Sequence, residues 1–418
     1  MHGGLTAAGL PDPLQATVDA ALDARLERGT ARPVALGLSG GGDSLALLQL
    51  AADWCARAGR PLLALTVDHG LHPRSAAGTA RAGRMAAQAG AGWRALAWTG
   101  PKPESGLPAA ARAARHDLMA TAAREAGACV LLLAHTAADV AEGEAMRAID
   151  ARTLGRLRAW APSPAWPQGR GVFLLRPLLQ TSRAELRDRM RAQGLAWLED
   201  PANTDVRFAR ARARLSHPPA APVAAESPPG FGEVTDDGRV RLPRALLATD
   251  PAARRSLRAA LACAAGAEAG PRGAVIDGLL ARLAVPGAFT ATAGGARILA
   301  DAAAVEIGRE RGRTPPPPLP LTAGVWAVWD GRFEVRADAA GWSVCALSGH
   351  AGRLPRRDRE AVRAIPAAFR GAQPALLREG GVVLGGEGLE IRSIVRARFD
   401  AAVGRIADEA RLRRSTTR

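Results

Sequence analysis

The chain predicts an α/β fold: a doubly wound, mainly parallel sheet, with a helical middle domain and a small C-terminal domain after it. Three observations carry this. Strand-like apolar runs alternate with segments of helical period up to about residue 200, the pattern of consecutive βαβ units. A glycine-rich turn, Ser39-Gly40-Gly41-Gly42-Asp43-Ser44, feeds the first of these runs straight into a helix. Beyond Leu215 the alternation stops, and the proline-dense stretches HPPAAPVAAESPPG and RTPPPPLP divide the rest of the chain into segments. The expected boundaries are residues 1–215, 216–315 and 316–418.

Val34 to Leu38 reads as a buried strand, succeeded by a helix from Ser44 to Arg57. Leu62 to Val67 leads to a helix beginning near Ser75, and Trp93 to Trp98 to a helix from about Leu107 to Ala126. Cys129 to Ala134 precedes a helix that starts after His135. Val172 to Leu175 precedes a helix opened by the capping box Ser182-Arg183-Ala184-Glu185. In such a sheet, ligands bind at the carboxyl ends of the strands. The turn at Ser39–Ser44, the segment Asp68-His69-Gly70 and the segment from Ala134 to Asp139 all fall there. Further on, Ala252 to Leu283 reads as helical, FTATAGGARILADAAAVEIGRE alternates like a hairpin, and VWAVWDGRFEVRA begins the strands of the last segment.

The turn at Ser39–Ser44 has the chemistry of a phosphate cradle. Gly40, Gly41 and Gly42 can take positive φ and let backbone N–H groups approach an anion, with the dipole of the adjoining helix aimed at the same point. Ser39 and Ser44 add hydroxyls, and Asp43 adds a carboxylate suited to a magnesium ion bridging phosphates. It is not a Walker A loop, which needs a lysine for the β and γ phosphates. The sequence contains one lysine, Lys102, far from this turn.

Composition bounds the rest. A chain of 418 residues with 48% hydrophobic content is enough for several sizeable cores. A net charge of +16 and a pI near 11.3 favour a polyanionic partner, most often nucleic acid, over merely solvated basic faces. Cys55, Cys129, Cys263 and Cys345 are widely separated with no CxxC pair, which argues against a disulfide framework and a zinc or iron-sulfur site. No apolar stretch is long enough for a membrane span, and MHGGLTAAGLPDPLQ lacks the basic and apolar regions of an export signal. A cytoplasmic protein is expected.

The pattern SGGxDS resembles the pyrophosphate-binding loop of the N-type ATP pyrophosphatases. After it, VDHGLHPRSAAGTARAGRMAAQAG, AAARAARHDLM, LLLAHTAADVAE and LEDPANTDVRFARARAR, in this order, resemble the tRNA(Ile)-lysidine synthetases. The resemblance is specific across residues 34 to 214 and diffuse beyond. It implies a reaction in which ATP adenylates the C2 carbonyl oxygen of the wobble cytidine of a CAU-anticodon isoleucine tRNA. L-Lysine then displaces AMP through its side-chain amine. It further implies that Ser39 to Ser44 hold ATP, that Asp43 organises Mg2+, and that Asp43, Asp139 and Arg115 do the catalytic work. Asp139 and Glu142 would receive the lysine ammonium, and Arg112, Arg210, Arg212 and Arg214 would grip tRNA; Arg112 and Arg115 would meet either ATP phosphate or the anticodon backbone. His69 and His135 are nucleotide contacts or structural histidines. A homodimer is left open.

One departure from the family pattern stands out: two adjacent aspartates usually come after the histidine, and here the positions read Ala138 and Asp139. That keeps alive the reading of a non-catalytic or rewired tRNA-binding relative; another N-type ATP pyrophosphatase acting on tRNA is a separate alternative. Thiolases of this fold carry sulfur on cysteines, commonly in CxxC pairs, which this chain lacks. Asparagine, GMP and NAD synthetases do not predict the basic C-terminal half.

Overall fold

The computed structural model describes residues 12–71, 75–149, 156–197, 223, 228–312 and 316–416. Two compact units emerge, one of residues 1–226 with 406–418 and one of residues 227–405. Among the described residues no helix is long and apolar enough to cross a membrane.

The first unit is built around six strands: β1 Val34–Gly37, β2 Leu62–Asp68, β3 Gly92–Ala97, β4 Val130–Leu132, β5 Trp160–Pro162 and β6 Phe173–Leu175. They form one sheet in the order β3-β2-β1-β4-β6-β5. Strands β1, β2, β3, β4 and β6 run parallel, and only β5 pairs antiparallel, at the edge against β6. The helices are α1 Pro13–Asp23, α2 Gly42–Ala58, α3 Ser75–Gln88, α4 Leu107–Glu125, α5 Ala137–Ile149 and α6 Arg183–Ala192. The parallel α/β layout expected from the alternation is therefore present, with element boundaries within a few residues of those read from the sequence. The antiparallel edge strand β5 was not foreseen. Its three residues are too few to display a period, and their pairing depends on the far side of a turn.

The strand order places the site. From β1 the chain moves outward to β2 and β3, then returns to the other side of β1 to form β4, so the loops after β1 and β4 diverge and leave a crevice between them. Helix α2 is well specified locally: Gly59, at φ 64°, caps its C-terminus, where the Arg60 N–H donates to the Cys55 carbonyl, and its inner face buries Leu45, Leu48 and Trp54. The expected Ser182–Glu185 capping box on α6 is formed, with both reciprocal hydrogen bonds.

Residues 406–418 return to this same unit. Glu409, in the helix Glu409–Thr416, is fully buried and pairs with Arg60 at 2.5 and 3.0 Å. It also accepts from the Glu27 N–H at 3.0 Å and from the Cys129 thiol at 3.3 Å. The Trp160 indole N–H donates to the Ile406 carbonyl at 2.7 Å, the Glu409 N–H to the Arg25 carbonyl at 2.8 Å, and Arg413 to the Glu27 carboxylate at 2.6 Å, so the tail is held along its length.

The second unit contains three antiparallel sheets. The first comprises β7 Glu233–Val234, β8 Val240–Pro243, β9 Phe289–Ala293, β10 Ala296–Ala300 and β11 Ala304–Arg309, in the order β7-β8-β11-β10-β9. The second comprises β12 Leu319–Pro320, β15 Ser343–Ala346, β16 Pro374–Arg378 and β17 Gly381–Val383, and the third β13 Ala327–Trp329, β14 Phe333–Ala337 and β18 Leu389–Ser393. The predicted hairpin is β9 with β10, continued by β11, and the predicted helical stretch is the pair Ala253–Ala264 and Gly273–Ala284. Residues on the two sides of position 316 share this unit, and the segments drawn from composition do not coincide with it. At the tip of the β13–β14 hairpin, Asp330 and Gly331 both have positive φ, the signature of a type I′ turn. That tip lies directly on Gly266, where any Cβ would run into the Asp330 carbonyl. Asp330 also pairs with Arg309 and Arg332. Phe399 and Val403, late in the sequence, join the core formed by Leu257, Leu261 and Ile307.

Candidate active site

The Ser39–Ser44 turn sits at the carboxyl end of β1, the innermost position of the crevice. Its conformation corrects the even-handed reading of its three glycines. Only Gly40 has positive φ, at 84°; Gly41 is the extended N-cap of α2, and Gly42 is already helical. Gly42 instead packs close under Trp197: a Cβ there would lie 3.3 Å from the ring, tighter than an ordinary van der Waals contact. The serines brace the turn: their hydroxyls are 3.0 Å apart, the Ser44 hydroxyl donates to the Gly41 carbonyl at 2.9 Å, and the Ser39 N–H lies 3.3 Å from Ser44 Oγ. Gly41 has no side chain to cap the helix, so the N-terminal N–H groups of α2 meet no side-chain cap.

Helix α5 brings the second set of predicted residues. Asp139 is 7% exposed and Glu142 1%. Asp139 Oδ2 accepts from the Thr136 N–H at 2.9 Å and from its hydroxyl at 3.0 Å, closing the first turn of the helix. What joins this helix to the phosphate turn is a residue the sequence pattern marks only as part of a cap. Arg183 places Nε 3.2 Å from Asp43 Oδ2, Nη2 3.2 Å from Asp139 Oδ1 and Nη1 2.9 Å from Glu142 Oε1. Asp43, Asp139 and Glu142 are thus brought to one point, around one guanidinium. A signal existed: a cation in the first turn of a helix opposes the helix dipole and requires an outside partner. Burial raises the Asp43 carboxyl against the pull of Arg183. Burial alone would also raise Asp139, but Arg183 and the two Thr136 donors outweigh it and hold it below the ordinary carboxylate value.

Beside the acids lies a basic group. His135 Nδ1 accepts from Arg176 Nε at 3.0 Å, which leaves its proton on Nε2. Burial first, then Arg176, pushes the His135 pKa down to about 3, with smaller contributions from Arg112 and Arg115. His116, on α4 and 4% exposed, is likewise pushed to about 3 by burial and by Arg115 and Arg112. Arg115 also acts, after burial, to lower His69, whose ring meets Trp98 edge-on at 6.0 Å. The structure therefore brings Arg112, Arg115, His69 and His135 into one neighbourhood. Arg210, Arg212 and Arg214, with the segment around them, lie outside the described residues. Arg176 was missed by sequence reasoning because its partner, His135, lies 41 residues away along the chain.

Two histidines that stay neutral in the folded state give a pH prediction. Their folded pKa lies below the unfolded value, so the unfolded chain binds more protons on acidification, and this stability is present above about pH 6.5 and lost as pH falls toward 3. Between pH 7.5 and 5.5 each costs about 1.4 kcal/mol. His116→Leu is expected to remove about half of this loss in urea titrations at the two pH values; an unchanged pH dependence would refute the assignment.

A glycine-rich turn leading into a helix on the switch point of a doubly wound sheet, with an acidic cluster beside it, is the arrangement of a domain of the PP-loop class. In agreement, a family profile described as PP-loop domain matches residues 14–220. The tRNA(Ile)-lysidine synthase of Caulobacter vibrioides is 49% identical over 409 residues, spanning 94% of this chain and 98% of the relative. That of Hyphomonas neptunium is 36% identical over 356 residues, 79% of this chain and 95% of the relative. The chain belongs to the tRNA(Ile)-lysidine synthase family. Among solved structures, a U34-tRNA thiolase from Methanococcus maripaludis is 19% identical with a TM-score of 0.40, covering 48% of this chain and 68% of that one.

Proposed function

We propose that this protein is a cytoplasmic enzyme that ligates L-lysine to C2 of the wobble cytidine, position 34, of CAU-anticodon tRNA(Ile), consuming ATP and releasing AMP and pyrophosphate. The observation that carries the reading is the near full-length similarity to lysidine synthases joined to a site in which a phosphate cradle and two buried carboxylates meet.

The chemistry has two steps. In the first, the C2 carbonyl oxygen attacks the α phosphorus of ATP, and the bond to the β phosphate breaks. Backbone N–H groups at the start of α2 and the cations Arg112 and Arg115 compensate the charge on the leaving pyrophosphate. In the second, the lysine amine adds to C2, and AMP departs with the former carbonyl oxygen. Asp139 and Glu142 first hold the ammonium, which must give up one proton before its lone pair can attack, and these carboxylates are the nearest bases. Among the described residues no three His, Cys, Asp or Glu side chains form a metal-binding group. Asp43, the carboxylate in the first turn of α2, would be the residue to hold a magnesium ion accompanying the nucleotide. When bound it would neutralise phosphate charge.

The deciding experiment is AMP formation measured with purified protein, omitting tRNA, lysine or neither. Product is expected only when tRNA(Ile), lysine and ATP are all present. AMP formation with glutamine in place of lysine, or without tRNA, would overturn the reading.

The basic C-terminal half is proposed to hold tRNA. Arg357, Arg359 and Arg363 are exposed on the helix Arg356–Arg363. If four phosphates are contacted, raising salt from 50 to 200 mM should weaken tRNA binding roughly 50- to 150-fold, from a slope of about 0.7 to 0.9 per contact. Replacing these three arginines by alanine should flatten that slope in filter-binding assays, and an unchanged slope would place the contacts elsewhere.

A further inference from the structure

We propose that Arg183 is an internal stand-in for the substrate ammonium: it pairs with Asp139 and Glu142 until a triphosphate draws its guanidinium away, making lysine binding conditional on ATP. The inference rests on the reading of Asp139 and Glu142 as the lysine seat.

The geometry supplies the first argument. Each of the three nitrogens of the Arg183 guanidinium faces a different carboxylate, Asp43, Asp139 and Glu142. Both oxygens of Asp139 are already engaged: Oδ2 takes both Thr136 donors, and Oδ1 faces Arg183. A lysine ammonium placed there with Arg183 unmoved would set two cations side by side on the same carboxylates, inside a region where like charges are poorly screened. Three carboxylates around one guanidinium still carry net negative charge, so the seat continues to attract a second cation. What stands in the way is the guanidinium already paired with these acids.

The second argument is the location of the alternative partner. Asp43 belongs to the first turn of α2, the same turn whose N–H groups face the cradle. A guanidinium that contacts Asp43 is within a side-chain swing of a phosphate bound there, and a phosphate offers it the two-pronged, charge-assisted pairing for which its planar fork is suited. The position of Arg183 at the start of α6, where its own helix dipole disfavours a cation, means that nothing local ties it to the acids. The choice of arginine has a chemical consequence as well. Its guanidinium stays protonated and is not a nucleophile, so a stand-in of this kind cannot itself attack an activated cytidine.

The test is equilibrium dialysis of labelled L-lysine against the full chain without tRNA, in the presence and absence of magnesium and an ATP analogue with a methylene between the α and β phosphates. Wild type is expected to bind lysine at least ten-fold more tightly with the analogue. Arg183→Gln is expected to bind lysine without nucleotide at least ten-fold more tightly than wild type, with little further gain from the analogue. Arg183→Lys, which keeps a cation at the seat, should remain nucleotide-dependent. Equal lysine affinity of wild type with and without the analogue overturns the proposal, and so does an Arg183→Gln variant that binds free lysine no better than wild type. The wild-type comparison carries the test by itself should Arg183→Gln fail to fold. Absence of lysine binding by wild type even with the analogue refutes the lysine seat itself, an outcome distinct from unlinked binding.

Discussion

Asp43→Asn is expected to lower tRNA-dependent pyrophosphate release roughly 100- to 1000-fold, the range seen when a preorganised charge-stabilising group is removed from an active site. Binding of tRNA should change little. The substitution is nearly isosteric and leaves the hydroxyl contacts of Ser39 and Ser44 that brace the turn untouched. It removes the one carboxylate in the first turn of α2, and with it the charge available to a nucleotide-borne magnesium ion. It also takes away one of the three anions around Arg183. Single-turnover pyrophosphate release with saturating tRNA separates the effect on chemistry from any effect on affinity. A variant that retains most of its activity would show that Asp43 serves to position Arg183 and does nothing for the phosphates.

The largest expected effect on stability is at Glu409. Both members of its pair with Arg60 are withdrawn from solvent, at 0% and 1% side-chain exposure. Glu409→Ala leaves a buried guanidinium without its counter-charge, and such losses run to about 3–5 kcal/mol. It also strips the acceptor from the Glu27 N–H and the Cys129 thiol, whose own pKa burial and Glu409 push up to about 12. Replacing the pair together, Arg60→Met with Glu409→Leu, should recover part of the loss, since two apolar groups carry no unpaired charge. Recovery should stop short of wild type because Arg60 also donates to the Glu27 and Arg32 carbonyls. Urea titration of the three proteins measures this directly. A loss under about 1 kcal/mol for Glu409→Ala would mean that the buried Arg60–Glu409 pair adds little to the first unit.

Much of the first unit is legible in the amino-acid order because the information is local. A glycine-rich turn between an apolar run and a helical period is written in a short run of consecutive residues, and so is a capping box; neither needs a distant partner to form. The same holds for the alternation that predicts a parallel sheet and for the proline runs that end it. The division of labour among Gly40, Gly41 and Gly42 is not local in this sense. Gly40 answers to a backbone angle, while Gly42 answers to the ring of Trp197, remote from it along the chain.

By itself, then, the sequence determined the α/β class, the glycine-rich turn at Ser39–Ser44, the helix start that carries Asp139 and Glu142, and the basic character of the chain. Only the tertiary structure decided that β5 runs antiparallel at the sheet edge, that residues 406–418 return to the first unit through Glu409 and Arg60, and that Arg183 gathers Asp43, Asp139 and Glu142 around one cation. The physical reason is range. Periodicity, turn chemistry and helix capping act over a few residues, whereas a buried charge is placed wherever the fold happens to bring its counter-charge, and no spacing along the chain records that meeting.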